Sequence, residues 1–312
     1  MKINVAMAQM KPRKGDYAAN LQRLGDLFEQ LEEDAPDTQV LVLPETALTG
    51  YFLQGGVRDV ALPRERFFAD LLRTYRDRVS RPDAALDICI GFYELDDGKY
   101  YNSALYATLT ACDPETEAAL PPNVPAPPTA AGIRHVHRKF FLPTYGVFDE
   151  KRFVSRGRNI DAFTSRFGTV AVLICEDVWH SITATIAALK GAQVLYILSA
   201  SPGREFSGHH LGNVTRWNVL LPGIADEHNI WVVYAGLVGF EGGKGFTGSS
   251  QVIDPWGNTR VVGPVIEECL VRATIDLEDV ATARAASPLL ADLEAALGDV
   301  MMELEEVVRN RR

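Results

Sequence analysis

A mixed α/β fold follows from three features of the sequence: short apolar runs of strand length, amphipathic stretches of helical period between them, and neighbouring strands separated only by turns. The first two give a β-helix-β rhythm and the third adds antiparallel pieces. Together they fit either an open α/β sheet or a sandwich of sheets covered by helices.

Residues 3–9 alternate at period two, as a strand with one face on a core does, and Pro12 and Gly15 end the strand. From Asn20 onward Leu21, Leu24, Phe28 and Leu31 recur at offsets of three, four and three, the stripe of a helix covering a sheet. Residues 40–43 are continuously apolar, like a strand buried on both faces, and Pro44 closes it immediately before Glu45. A helix is expected from Pro63 to about Val79. Strands at 87–92 and 102–109 follow, joined as a hairpin through an Asp96-Asp97-Gly98 turn. Residues 111–131 hold six prolines and no periodic pattern, which predicts an exposed excursion.

Past that excursion, a strand at 134–138 delivers Lys139, and a nearly all-apolar strand at 169–174 delivers Cys175. Residues 181–190 are helix-forming, Gly191 stops them, and 194–198 read as a buried strand. Leu211, Val214, Trp217, Leu221 and Ile224 mark another helix, with Pro222 expected to disturb its last turns, before a strand at 230–234. Gly242-Gly243-Lys244-Gly245 lacks the context of a phosphate loop and reads as a mobile loop. Strands near 249–253 and 269–275 are separated by the Asp254-Pro255-Trp256-Gly257-Asn258 turn. The tail at 288–308 is helical by propensity, with Leu289, Leu293 and Leu297 at helical spacing, and is expected to pack on the sheet or on another subunit. No repeat is apparent, and the chain reads as one domain.

The 312 residues carry 31 Lys and Arg against 41 Asp and Glu, a formal net charge of −10, which disfavours a nucleic-acid groove. The short basic run around Arg134 and Lys139 has no interleaved aromatics and reads as a strand approaching a polar pocket. No apolar run is long enough to span a bilayer, so a soluble cytoplasmic protein without a membrane partner is expected. Cys89, Cys112, Cys175 and Cys269 lie far apart without CxxC pairing, which argues against a disulfide framework. The six histidines form no zinc spacing, so no metal is expected.

Cys175 sits where an apolar strand turns into a helix. Such a turn can expose a sulfur and aim the next backbone N–H, that of Glu176, at a developing oxyanion. A thiol with a reference pKa of about 8.5 needs a base or a cation nearby. Glu45 and Lys139 meet that need if their strands end at the same rim: the carboxylate takes the thiol proton, and the ammonium stabilises the tetrahedral intermediate. The alternative is a surface Glu45–Lys139 ion pair beside an inert buried cysteine.

Three segments, Leu43-Pro44-Glu45-Thr46-Ala47, Arg138-Lys139-Phe140-Phe141-Leu142-Pro143 and Leu173-Ile174-Cys175-Glu176-Asp177, resemble in order and separation the motifs of the nitrilase superfamily of carbon-nitrogen hydrolases. The resemblance covers roughly residues 3–275. It implies an α+β, four-layer α-β-β-α sandwich over residues 1–280, a C-terminal helical extension over 281–312, and pairing into a homodimer or higher homo-oligomer. It also implies Glu45 as general base and acid, Lys139 as the oxyanion-stabilising cation, Cys175 as nucleophile through a thioester, and no cofactor. Many relatives add a second glutamate after the lysine motif. Here Val147 stands where some place it, and Glu150 is either that auxiliary or an ordinary rim carboxylate.

The segments around Phe141-Leu142-Pro143-Thr144-Tyr145 and Cys175-Glu176-Asp177-Val178-Trp179 resemble in particular the glutaminase domain of glutamine-dependent NAD synthetases. No Ser-Gly-Gly-rich phosphate loop of a synthetase domain is seen, so a free-standing amidase acting on a small-molecule carboxamide is expected. The alternatives are a glutaminase-like ammonia-supplying partner, an N-carbamoyl amine hydrolase, a nitrilase and a non-catalytic interaction protein. By motif position Tyr51, Phe52, Tyr145, Trp179, His180, Ser199 and Ser201 are candidates for the pocket wall, or else packing residues. Arg204 either binds a substrate carboxylate or pairs at the surface.

Overall fold

The computed structural model describes residues 1–81, 84–111, 130–208 and 210–311. The expected excursion at 111–131 falls almost wholly outside them, as does Cys112. Its first sheet is built from β1 (Lys2–Gln9), β2 (Val40–Val42), β3 (Ala85–Asp96), β4 (Lys99–Thr110) and β5 (Gly132–Arg138), covered by α1 (Tyr17–Asp34) and α2 (Arg64–Arg78). The second sheet uses β6 (Ala162–Ser165), β7 (Gly168–Ile174), β8 (Val194–Ser199) and β9 (Trp231–Gly236), with helices α3 (Ser181–Leu189) and α4 (Gly212–His228) between them in the chain. A hairpin of β10 (Val238–Glu241) and β11 (Lys244–Thr247) follows. Then come β12 (Gln251–Ile253), β13 (Thr259–Val262), β14 (Cys269–Asp276), α5 (Glu278–Ala286) and α6 (Leu289–Asn310).

The sheets have six strands each, in the orders β14-β1-β2-β3-β4-β5 and β13-β12-β9-β8-β7-β6. Side chains alternate across the first sheet as period two demands. Val5, Met7, Val40, Val42 and Cys89 face the second sheet. Ala6, Leu41, Leu43, Ile88 and Ile90 face Leu24 and Phe28 of α1 and Phe67 and Leu71 of α2. Each such large buried side chain contributes roughly 1.5–3 kcal/mol. On the far side Ala184 and Ala187 of α3 and Trp217 and Leu221 of α4 pack against the second sheet. The layers are helix, sheet, sheet, helix, as the resemblance implies.

Strand direction positions the site. β2 runs parallel to β3, while β4 is antiparallel to both β3 and β5, so β2, β3 and β5 share one direction. Glu45, just past β2, and Lys139, just past β5, therefore emerge at the same edge. In the second sheet β7, β8 and β9 are mutually parallel, so Cys175 after β7 and Ser199 at the end of β8 share an edge too.

One expectation needs correction, and the structure defines two others more closely. Pro222 lies inside its helix: α4 continues to His228, with Leu221, Ile224 and Ala225 buried, so their packing outweighs one missing backbone hydrogen bond. The glycines at 242–245 are not a mobile loop: β10 and β11 pair in register across Gly242 and Gly243, both in the left-handed region that a tight hairpin turn requires. The tail helix packs only at its start, where Leu290 is buried, and from Leu297 onward its apolar residues stand exposed.

Candidate active site

Glu45 is fully buried, in a turn that passes directly over β3. That approach requires Gly91, because a Cβ there would lie 2.5 Å from the Thr46 nitrogen and 2.6 Å from the Glu45 Cα. Glu45 Oε1 accepts from Lys139 Nζ at 2.7 Å and from Asn102 Nδ2 at 2.7 Å, and Oε2 accepts from the Ala200 N–H at 2.7 Å. Lys139 is equally buried and donates also to Glu150 Oε1 at 2.6 Å. Burial alone would lower the Lys139 pKa, but Glu150, Glu45 and Cys175 together raise it well above its ordinary value, so the ammonium stays charged.

Cys175 opens a tight turn with φ at +44°, a left-handed conformation uncommon outside glycine, and is 7% exposed. Its Sγ accepts from Ser199 Oγ at 3.3 Å. Burial, then the negative charge of Glu45, push the thiol pKa up, while Lys139 and the Ser199 hydroxyl pull it down. The net shift is upward, so the resting group is a neutral thiol. Ser199 touches the sulfur and the next residue, Ala200, holds Glu45, so two consecutive residues at the end of β8 tie nucleophile to carboxylate. Glu45, Lys139 and Cys175, far apart in sequence, are thus brought together.

Glu150 belongs to the same cluster. Tyr51 OH donates to its Oε1, its Oε2 is buried without a partner, and burial pushes its pKa up to about 7 against the lowering influence of Lys139. Tyr51 is therefore at the site, while Phe52 stacks on Phe246 and lines, with Tyr51 and Glu150, a cavity of about 300 Å³. Tyr145 OH donates to the Glu176 carboxylate at 2.9 Å. Trp179 packs edge-on against Trp217. The Arg204 guanidinium lies over the Trp179, Phe148 and Tyr145 rings at 5.1, 5.4 and 6.0 Å, and its buried Nε has no hydrogen-bond partner.

Two candidates sit elsewhere. Ser201 is turned into the fold, where its Oγ accepts from Trp217 Nε1 and Asn213 Nδ2. His180 lies on the surface against the Phe141 ring, in an open groove beside the site.

Sequence reasoning missed two residues. Asn102 fixes Glu45 through its amide and accepts the Lys139 N–H on its backbone carbonyl at 2.9 Å. Asp177 accepts four hydrogen bonds: Oδ1 from the Phe140 and Phe141 N–H groups at 2.9 and 2.8 Å, Oδ2 from the Ile174 N–H at 3.1 Å and from His137 Nε2 at 2.8 Å. One carboxylate thereby joins the chain just after Lys139 to the chain just before Cys175. The placements of Asp177 two residues after the cysteine and of His137 two residues before the lysine were the available signals. Among the described residues no group of His, Cys, Asp and Glu side chains has the arrangement of a metal site, and no helix is long and apolar enough to cross a membrane.

The carbon-nitrogen hydrolase family model matches residues 4–285. The glutamine-dependent NAD(+) synthetase of Thermotoga maritima is 26% identical over 282 residues, covering 89% of this chain and 43% of the relative, so the chain spans less than half the length of that protein. An (R)-stereoselective amidase of a Pseudomonas species is 28% identical over 257 residues, 82% of this chain and 78% of the relative. Among solved structures, a carbon-nitrogen hydrolase from Helicobacter pylori superposes with a TM-score of 0.75 at 23% identity, covering 94% of this chain and 95% of the other.

Proposed function

The chain belongs to the carbon-nitrogen hydrolase family, and on that premise we propose that it hydrolyses a small-molecule carboxamide through a thioester on Cys175. The observation that carries this reading is the single buried cluster in which Lys139 bonds Glu45 while the Ser199-Ala200 pair links Glu45 to the Cys175 sulfur.

In this mechanism Glu45 takes the proton of the neutral thiol as Sγ bonds to the amide carbon. The carbonyl oxygen becomes an oxyanion facing Lys139 and the Glu176 backbone N–H. Collapse breaks the C–N bond, and the proton held by Glu45 passes to the departing nitrogen as ammonia or an amine. Water then gives its proton to Glu45 and attacks the thioester, and the proton returns to the sulfur as the carboxylate product leaves. Burial keeps the Lys139–Glu45 pair dry, where each preorganised oxyanion contact lowers the barrier by a few kcal/mol, roughly the 2.7–4 kcal/mol known for such donors. Glu150, bonded to Lys139 and Tyr51, orients the lysine.

The likeness to glutamine-dependent synthetases makes glutamine the first amide to test, with other ω-amides, N-carbamoyl amines, amino-acid amides and nitriles beside it. Ammonia release by the wild-type chain, abolished in a folded C175A variant, supports the reading. Undiminished release by C175A rejects it.

A further inference from the structure

One buried carboxylate near the candidate site has no task in the mechanism. Glu241, the last residue of β10, is 5% exposed. Among the described residues no cation lies within ion-pair distance of it, so its desolvated oxygens need hydrogen-bond donors. The chain just past the Glu45 turn supplies them. The Tyr51 N–H donates to Glu241 Oε1 at 3.2 Å and Oε2 at 3.0 Å, and the Phe52 N–H donates to Oε2 at 2.8 Å. Room for the carboxylate comes from Gly50, left-handed at φ +79°, where a Cβ would lie 2.6 Å from Glu241 Oε1.

Tyr51 is thereby held at every polar atom. Its N–H is taken by Glu241, its carbonyl accepts from Tyr93 OH at 2.8 Å and from the Leu53 N–H at 2.9 Å, and its own OH donates to Glu150 Oε1. The ring stands edge-on to Phe52 at 4.9 Å and to Phe246 of β11 at 6.3 Å. Glu150 depends on this arrangement, because Oε1 receives both Tyr51 OH and Lys139 Nζ while Oε2 is buried without a partner. The hairpin that carries Glu241 lies outside both six-stranded sheets, yet it is bonded to the other half of the site. The Leu237 N–H donates to the Ser199 carbonyl at 2.9 Å, the Thr247 N–H to that of Ser201 at 3.1 Å, and the Gly203 N–H to that of Gly245 at 2.7 Å. One β-hairpin thus joins the segment that touches the Cys175 sulfur to the segment that fixes the partner of Lys139.

We propose that Glu241 is a positioning residue: by holding the Tyr51 and Phe52 N–H groups it sets the Tyr51 hydroxyl on Glu150, and through Glu150 it sets the direction of Lys139 Nζ. The proposal rests on the roles given to Lys139 and Cys175 under the proposed function. Glu241 touches no reacting atom, and its effect on the sulfur passes through Tyr51, Glu150 and Lys139 in that order. Two residues whose effects run through one relay are energetically coupled, whereas a residue that only anchors the hairpin acts independently of the Tyr51 hydroxyl.

A double-mutant cycle tests this. kcat and KM for amide hydrolysis, and the rate at which methyl methanethiosulfonate modifies the peptide bearing Cys175, are compared for wild type, E241A, E241Q, Y51F and E241A/Y51F, each shown to be folded by a thermal melt. E241A should lower kcat and the modification rate about 10- to 100-fold, the worth of a hydrogen bond to a charged group, with little change in KM. Glutamine keeps one oxygen to accept both N–H groups, so E241Q should stay within about threefold of wild type. Y51F removes the hydroxyl through which Glu241 acts, so E241A/Y51F should lose no more than Y51F alone. If E241A yields no folded protein, E241D, whose carboxylate stops one methylene short of both N–H groups, takes its place in the cycle. A folded E241A with wild-type rates, an E241Q as impaired as E241A, or a double variant whose loss is the product of the two single losses would each overturn the proposal. The thiol reaction needs no amide substrate, so a chain that hydrolyses no amide would reject the proposed hydrolysis while the cycle at Cys175 still decides the role of Glu241.

Discussion

Replacing Asp177 by Asn changes one atom of a side chain that touches no substrate, yet it should uncouple the two halves of the site. The carboxylate accepts two N–H groups on Oδ1 and two donors on Oδ2. An amide oxygen can keep the Phe140 and Phe141 pair, but its NH₂ then faces the Ile174 N–H and His137 Nε2, and a backbone N–H cannot reverse its role. The loss is a charge-assisted bond, about 1.5–3 kcal/mol, plus the penalty of a buried unpaired donor, about 1–3 kcal/mol, so destabilisation of about 2.5–6 kcal/mol is expected. Because the strained turn at Cys175 begins beside Ile174, relaxation there moves the sulfur, and a displacement near 1 Å costs on the order of a hundredfold in rate. Urea unfolding reports the first effect. kcat for amide hydrolysis, measured on the folded fraction together with the rate of Cys175 alkylation, reports the second. The positioning role predicts a fall in kcat with little change in KM. A variant destabilised as calculated but with wild-type kcat would refute it and leave Asp177 a purely structural residue.

Other substitutions probe other contacts. With Glu150 raised to about 7, it is protonated below that pH and ionised above it, adding a negative charge that opposes the developing oxyanion. kcat/KM should therefore step down to a lower plateau as pH rises through about 7, and an E150Q variant whose profile kept that step would contradict the assignment. A G91A side chain would press on the Glu45 turn backbone. kcat should fall at least a hundredfold or the folded yield collapse, whereas G98A, with open space around it, should cost only about 1–2 kcal/mol through its left-handed backbone, and equal behaviour of the two would refute the close-approach argument. R204M should raise KM for carboxylate-bearing amides about 10- to 100-fold and leave neutral amides unaffected, the worth of a charge-assisted pair, and equal effects on both classes would exclude a carboxylate clamp.

The strands that deliver Glu45 and Cys175 were readable because each is a dense apolar run ending at a polar residue, a local signal, whereas residues 134–138 before Lys139 are mostly basic and the lysine was legible through its motif. The parallel directions that place those ends at one rim were not, since they depend on which strands pair. β14 joins β1 antiparallel across more than 250 residues, and nothing in residues 269–275 says that they leave the second sheet for the first. How far the helix runs past Pro222 was not legible, because the local cost of the proline is plain in sequence while the packing of Leu221 and Ile224 is not. The glycines at 242–245 misled because flexibility and a tight hairpin turn use the same residue. Around the site, nucleophile, base and lysine carry recognisable motifs, and Glu150 was visible only as an open alternative. Asn102 and Asp177 act through hydrogen bonds to groups distant in the chain, which only the folded geometry reveals.

Acyl transfer to Cys175 can be seen by intact-mass analysis of the chain quenched in acid during turnover of an amide that it hydrolyses. A species heavier by the acyl group is expected, mapped to the peptide bearing Cys175 and absent from C175A. Hydrolysis that proceeds at the wild-type rate in C175A, with no adduct on that peptide at any time point, would contradict it.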